Sequence, residues 1–367
     1  MNFSHILNSK KIVVTLIYAV FLTFSTAKAA AVQDSTVQLE AKKEGAKKEF
    51  NASETILEHI ADSHYIHVGG KIFISLPVLV YTNKGFEFFM SNKFEGPKNN
   101  EGERSLVAYQ GKYYRYALIN DKIKAVTADN KTIDETASII DFSITRNVTS
   151  MWLSVLILLI VFFNVAAAYK KTTGKAPKGL QSLLEPVILF IRDDVAVPNI
   201  GYKYQRFMPL LLTVFFFILI NNLIGMVPFF PGGSNVTGNI AVTFVLAVIT
   251  LVVVNVNGNK YYWKHIFAPD VPFWLYPIMW IVELAGIISK PFALMVRLFA
   301  NIMAGHVIVV ALVSLIFIFQ TLGIAPVSVA FTLFIDVLEL LVAFLQAFIF
   351  TMLMALFIGS AVEEHHH

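Results

Sequence analysis

The sequence predicts an all-α polytopic membrane protein of about five crossing helices, closed by a long tilted C-terminal helical hairpin and preceded by a small β-rich extracytoplasmic N-terminal domain. Three observations carry this reading. Of the 367 residues 56% are apolar and 15% charged, against roughly 45–50% and about 25% in an ordinary soluble domain. The charges are unevenly placed: residues 1–150 hold 34 of the 54 Asp, Glu, Lys and Arg, whereas the 154 residues from Phe207 to Ser360 hold 8. Apolar runs in that last block exceed the roughly 20 residues that span a bilayer. A net charge of +4, with no basic run interleaved with aromatics, argues against nucleic acid as a partner. The absence of Cys excludes disulfides and thiolate chemistry.

In chain order, Lys10-Lys11 precede an apolar run from Ile12 to Phe24, and Ala27-Lys28-Ala29 has the small-x-small form of a cleavage site. Residues 1–29 therefore read as a secretory signal peptide, which starts the remaining chain on the outer side of the membrane. The stretch 33–62 is rich in Lys, Glu and Ala and reads as a solvated helix or tether. Short β-like runs follow at Lys71 to Tyr81, Gly85 to Phe94, Leu106 to Tyr109, Tyr113 to Asn120 and Ile123 to Thr127, broken by Asn-Lys-Gly, Gln-Gly-Lys and Asn-Asp-Lys turns. Residues 30–147 are thus expected to form an extracytoplasmic segment with a small antiparallel β unit. The spacing of His59, His64 and His67 suits a metal on a helix face, but without Cys or a fourth ligand they read as ordinary surface histidines, and His365 to His367 as a solvated tail. No metal and no organic cofactor is expected.

Helical spans are expected at Ser150 to Tyr169, Phe207 to Phe229, Val236 to Asn255, Phe273 to Phe319 and Pro326 to Ile358, so that residues 148–364 form the membrane domain. Seven Lys and Arg lie between the first two spans, Lys260 and Lys264 follow the third, and the segments Pro231 to Asn239 and Gln320 to Ala325 carry no charge. The positive-inside rule then leaves the N-terminal segment outside and the C-terminus in the cytoplasm. The run from Phe273 to Phe319 is 47 residues long, roughly 70 Å as one helix and more than twice a hydrocarbon core of about 30 Å. Pro277 and Pro291 offer break points, and a steeply tilted helix after Pro291 is expected.

Within this block the ionisable residues are few: Glu283, Lys290, Arg297, His306, Asp336 and Glu339, with Asn221, Asn222, Asn301 and Gln346 as neutral companions. An Arg at mid-membrane costs roughly 2.5–3.5 kcal/mol on insertion scales, so such residues face a partner or water and mark ion paths. Lys290 reads as snorkelling to the interface. The spans' directions put Glu283 near the cytoplasmic side, Arg297 at mid-depth and His306 about 13 Å further out along its helix, while Glu339 lies about 10 Å outside Gln346 on the last span. Arg297 and Asn301 share one helix face, and His306 falls about 180° from Arg297. A fixed cation at mid-depth, protonatable groups leading to it from outside and one acid leading away inside describe two ion-access half-paths separated by an immovable charge.

The stretch ISKPFALMVRLFANIMAGH from Ile288 to His306, followed by LQAFIFTML from Leu345 to Leu353, resembles subunit a of the rotary F-type ATP synthase. The resemblance extends more weakly to NLIGMVP from Asn222, NVTGNIAV from Asn235 and KAPKGLQSLLEPV from Lys175. It implies a proton-translocating stator subunit of the bacterial inner membrane that faces a c-ring and contacts the peripheral-stalk subunit b and lipid, and that performs no bond chemistry itself. By the same resemblance Arg297 matches the essential arginine, His306 and Glu339 the pair on the outer proton path, Asn301 and Gln346 polar neighbours facing the ring, and Glu283 the acid near the cytoplasmic exit. Gly225 stands where some members carry an acid, so water or Asn222 is expected to serve the outer entrance. The β-like insert and the cleavable signal depart from the family's commonest form. The rival readings are an ion-coupled secondary transporter, which wants paired repeats with matching broken helices, and a membrane-anchored sensor, which needs one or two spans.

Overall fold

The computed structural model describes residues 62–69, 72–98, 104–119, 122–127, 133–134, 136–171, 176–227, 233–234, 236–267, 271–319 and 324–363. The expected signal peptide, His59 and His365 to His367 lie outside them.

The N-terminal unit is built of short strands: β1 (Tyr65–Gly69), β2 (Ile72–Ser75), β3 (Pro77–Thr82), β4 (Gly85–Met90), β5 (Glu95–Lys98), β6 (Arg104–Leu106), β7 (Tyr109–Gln110), β8 (Arg115–Ile119), β9 (Lys122–Val126) and β10 (Ile139–Asp141). All pair antiparallel, in the orders β1-β2, β10-β3-β4, β5-β6 and β7-β8-β9. The Asn83-Lys84 turn closes the β3-β4 hairpin, and Gly85 takes φ 136°, a conformation open to glycine and strained for other residues. Val78 and Val80 from β3 and Phe89 from β4 meet Phe94, Tyr116, Leu118, Ile123 and Ala125 in a single core. The expected runs Lys71 to Tyr81, Tyr113 to Asn120 and Ile123 to Thr127 fall on β2-β3, β8 and β9; Gly85 to Phe94 gives β4 and then a 3-10 turn at Ser91–Phe94; Leu106 to Tyr109 covers only the end of β6 and the start of β7; β1, β5 and β10 are additional. The run Lys71 to Tyr81 is divided at Leu76, whose amide is shared between the His64 carbonyl at 3.3 Å and Ser91 Oγ at 3.0 Å.

His64 corrects the surface reading. It is 2% exposed, with Nε2 3.5 Å from Asp141 Oδ2. It lies where the β unit meets the first long helix, α1 (Arg146–Lys171). There the Arg146 amide donates to the Ser63 carbonyl at 2.8 Å and the Asn147 amide to Asp62 Oδ1 at 3.1 Å. Burial pushes the Asp62 carboxyl above its ordinary value, against hydrogen bonds from Thr145 and Asn147. At Asp141 burial also pushes upward, but the contacts of His64 and Ser143 outweigh it and the carboxyl lies below its ordinary value.

Further helices are α2 (Leu180–Phe190), α3 (Val197–Ile200), α4 (Tyr204–Met226), α5 (Ile240–Asn257), α6 (Lys260–Phe267), α7 (Tyr276–Phe319) and α8 (Ile324–Val362). Among the described residues five helical stretches are long and apolar enough to cross a membrane. α4 is buried nearly all round, through Met208, Leu211, Leu212, Phe215 and Ile218 among others, as befits a central helix of a bundle. It packs on α8 and α1, while α7 packs on α8 and α5. Two expectations change. The stretch between the first two spans is no open connection: α2, a π-helical turn at Ile191–Ala196 and α3 form a continuous helical element whose Ile188, Ile191, Val195 and Ala196 are buried and whose Asp193 and Asp194 are exposed. Gly359 of α8 seats against it, where a Cβ would overlap the Asn199 carbonyl. The chain also does not break at Pro291, because α7 runs unbroken for 44 residues, about 66 Å at ~1.5 Å per residue. A helix in lipid tolerates one missing amide donor when neighbouring helices flank it. Pro277 sits in the first turn, where no donor is lost.

Candidate proton path

α7 presents two faces of different character. Leu294, Leu298 and Ile302, at i, i+4 and i+8, are buried, which fixes the helix's rotation against its neighbours. That rotation turns Arg297 and Asn301 to the exposed face. Among the described residues Arg297 has no ion-pair partner. His306, half a turn away, points inward to a narrow polar cleft between α4, α7 and α8. Its Nε2 stands 3.9 Å from Glu339 Oε1, the two side chains being 16% and 8% exposed.

Small residues make this approach possible. A Cβ at Gly305 would lie 2.9 Å from Glu339 Oε1, and one at Gly225 would lie 3.8 Å from His306 Nε2 and 3.2 Å from the Ser234 carbonyl. Position 225, without an acid in this chain, therefore adjoins the histidine of the pair. Asn222 is engaged at both ends: Nδ2 donates to the Ala343 carbonyl at 3.2 Å, and Oδ1 accepts from Thr237 Oγ1 at 2.6 Å. It ties α4 to α8 and to the turn before α5. On α8, Glu339, Ala343 and Gln346 share one buried stripe, with Gln346 6% exposed.

At the other end of α7, Glu283 Oε1 lies 3.5 Å from His265 Nδ1 on α6, with the histidine side chain 69% exposed. Trp280 Nε1 donates to the Phe267 carbonyl at 2.9 Å and locks the two helices at this corner. Burial and then the Glu283 charge push the Tyr262 phenol upward. Lys290 Nζ lies 5.5 Å from the Phe357 ring centroid. His265 is the residue that sequence reasoning misses: it precedes Glu283 by 18 positions on a separate helix, and no periodicity joins the two. Among the described residues no cluster of three or more His, Asp or Glu is placed to hold a metal ion.

Fold and site together define a multi-pass membrane protein with a buried His–Glu pair behind an exposed arginine. A family model described as ATP synthase A chain matches residues 148–359. The chain is 52% identical over 232 residues to "ATP synthase subunit a" of Chloroherpeton thalassium, covering 62% of this chain and 69% of the relative. It is 48% identical over 234 residues to "ATP synthase subunit a 2" of Prosthecochloris aestuarii (62% and 71% covered) and 45% over 235 residues to "ATP synthase subunit a" of Myxococcus xanthus (62% and 76%). The chain belongs to the ATP synthase A chain family, the proton-translocating stator subunits of F-type ATP synthases, and through it to the ATP synthase complex. A transporter reading is not favoured by these matches. A second model, a domain of unknown function (DUF8433), matches residues 55–142.

Proposed function

We propose that Arg297 is the fixed charge of the proton path, that His306 and Glu339 receive protons from the outer side, and that Glu283 with His265 passes them to the cytoplasm. The observation that carries this is the opposition of faces on α7: a guanidinium on the exposed face, and a buried His–Glu pair on the other, nine residues on. The exposed face is where the c-ring sits, and subunit b contacts the same membrane domain, residues 148–364. The N-terminal segment 30–147 lies outside, the C-terminus inside, in a bacterial inner membrane, and residues 1–29 are removed on export.

Arg297 then acts by electrostatics alone. An ionised ring carboxylate is drawn to the guanidinium, a planar cation that offers only hydrogen-bond donors. The carboxylate therefore gives its proton to the inner path before it reaches Arg297 and takes one from the outer path after it leaves. Asn301 and Gln346 offer polar contact at the same depth, and Asn222 holds the outer cleft in shape. Each proton that crosses 100 mV contributes about 2.3 kcal/mol to rotation. The test is Arg297→Ala in the assembled synthase in inverted vesicles. ATP-driven pumping and ATP synthesis are both lost while the complex still assembles; substantial proton-coupled synthesis by the assembled variant overturns the reading.

A further inference from the structure

The β10-β3-β4 sheet of the N-terminal unit carries a continuous apolar row on its outer face. Its inner face carries Val78, Val80 and Phe89 into the core. Its outer face follows from the register. Tyr81 pairs with Phe86 and Leu79 with Phe88 across β3 and β4, and the last rung ends at Met90. On the third strand the Phe142 amide donates to the Leu79 carbonyl, which puts this side chain on the same row. Phe86 is 58% and Phe88 68% exposed, with Tyr81 and Met90 exposed beside them, and the Phe86 and Phe142 rings stack at 6.4 Å. No Lys, Arg, Asp or Glu stands among these outward positions; Glu87 and Asp141 point the other way. A contiguous exposed apolar patch of this kind marks an interface.

The position of the sheet says what covers it. The Ile144 amide still donates to the Pro77 carbonyl at 3.1 Å, so the ladder continues to within two residues of Arg146, where α1 begins. At about 3.3 Å per residue the lowest rung of the face stands roughly 7 Å from the helix start. The Leu79–Phe88 and Tyr81–Phe86 rungs stand two and four residues further along, so the face begins within one headgroup thickness, about 5–8 Å, of the helix start. Below it, Trp152, Leu156, Ile160 and Phe163 form an exposed stripe along α1, at spacings of one helical turn. Aromatics with a Tyr among them suit the boundary between headgroups and acyl chains.

We infer that the outer face of the β10-β3-β4 sheet lies against the outer leaflet, so that the N-terminal unit rests on the lipid surface as a continuation of α1. This gives the segment matched by the domain of unknown function a membrane-surface binding role.

The chain contains no cysteine, so a nitroxide on Phe88→Cys reports on that site alone. The labelled full chain, by itself and within the assembled synthase, is reconstituted in phosphatidylcholine–phosphatidylglycerol liposomes. Collision with oxygen and with a water-soluble nickel chelate is then measured. Leu156→Cys on α1 provides the lipid reference and Gln110→Cys the water reference. The inference requires the Phe88→Cys label to favour oxygen over the chelate severalfold, as the Leu156→Cys label does, in both preparations. Equal or greater access by the chelate means a water-exposed face and overturns it. Exclusion of both agents means that a protein subunit covers the patch, which also overturns it. Phe86→Cys, on the next rung, repeats the measurement should Phe88→Cys fail to fold.

Discussion

At Gly305 the absence of a side chain sets the distance between the two helices that carry His306 and Glu339. A Cβ there meets the Glu339 carboxylate at 2.9 Å, and the carboxylate is the mobile end of its side chain. Gly305→Ala therefore leaves the backbone packing in place and swings Glu339 away from His306. Passive proton flux through the assembled complex, read by fluorescent dye quenching, should fall by about tenfold, equivalent to roughly 1.4 kcal/mol on the barrier, with assembly unchanged. His306 Nε2 and Glu339 Oε1 stand 3.9 Å apart on the proposed outer path. Neutralising either residue slows flux severely, and exchanging them, His306→Glu with Glu339→His, restores more flux than either single change retains; an exchanged variant no better than the worse single one means that they serve different paths. Much of this site is legible in the sequence because ionisable side chains in an apolar block are rare and helix periodicity assigns each a face. The inner pair is legible only in part. Glu283 stands out by its charge, whereas His265 becomes relevant only when Trp280 joins α6 to α7. His265→Ala is expected to reduce flux severalfold with normal assembly, measured in the same dye assay.

Among the elements, the spans are readable from hydropathy alone, since length and low charge suffice to identify them. What composition conceals is how each helix ends. Pro291 reads as a break because a proline removes a donor, yet α7 continues through it, the flanking helices having been invisible to a local rule. The stretch from Leu180 to Ile200 reads as a connection because of Lys175, Lys178 and Arg192 around it, yet its Ile188, Ile191 and Val195 are buried. Tertiary packing on the end of α8 decides that outcome, through the contact at Gly359. Unlike Gly305, Gly359 faces backbone, the Asn199 carbonyl, which cannot rotate aside. Gly359→Ala must push α3 off α8 at a cost of about 1–3 kcal/mol, the usual range for overpacking. The expected outcome is a lower yield of assembled complex and a lower melting temperature in detergent, with turnover per assembled complex nearly unchanged because no ionisable group of the path moves.

On the scale of the whole molecule, two bodies with different solvents meet at one junction, where Asp62, His64 and Asp141 stand over the start of α1. The β strands on one side and the spans on the other follow from local pattern; the junction does not, because its residues are scattered from position 62 to position 147 in ordinary polar sequence. Its two carboxylates have opposite pH dependences. Asp62 is held above its ordinary value by burial, so its contribution to stability is complete below the unfolded-state value near 3.9 and is lost as pH rises through the higher folded-state value. Asp141 lies below its ordinary value, so its contribution is present above about 3.9 and is lost as pH falls through the lower folded-state value. At neutral pH the first carboxylate is charged at a cost and the second is charged to advantage. Asp62→Asn keeps an oxygen to accept from the Ser63 and Asn147 amides, at 3.0 and 3.1 Å in the parent, and removes the buried charge. It should raise the resistance of the β unit to heat and to proteolysis at the junction at pH 7, with the gain fading as pH approaches 4. Asp141→Asn should lower that resistance at pH 7, with its deficit shrinking on acidification. Protease-resistance profiles of the two variants and the parent between pH 4 and pH 8 decide the matter: parallel profiles, or a destabilised Asp62→Asn at neutral pH, would mean that Asp62 is retained for its charge on Arg146 and His64 rather than tolerated despite it.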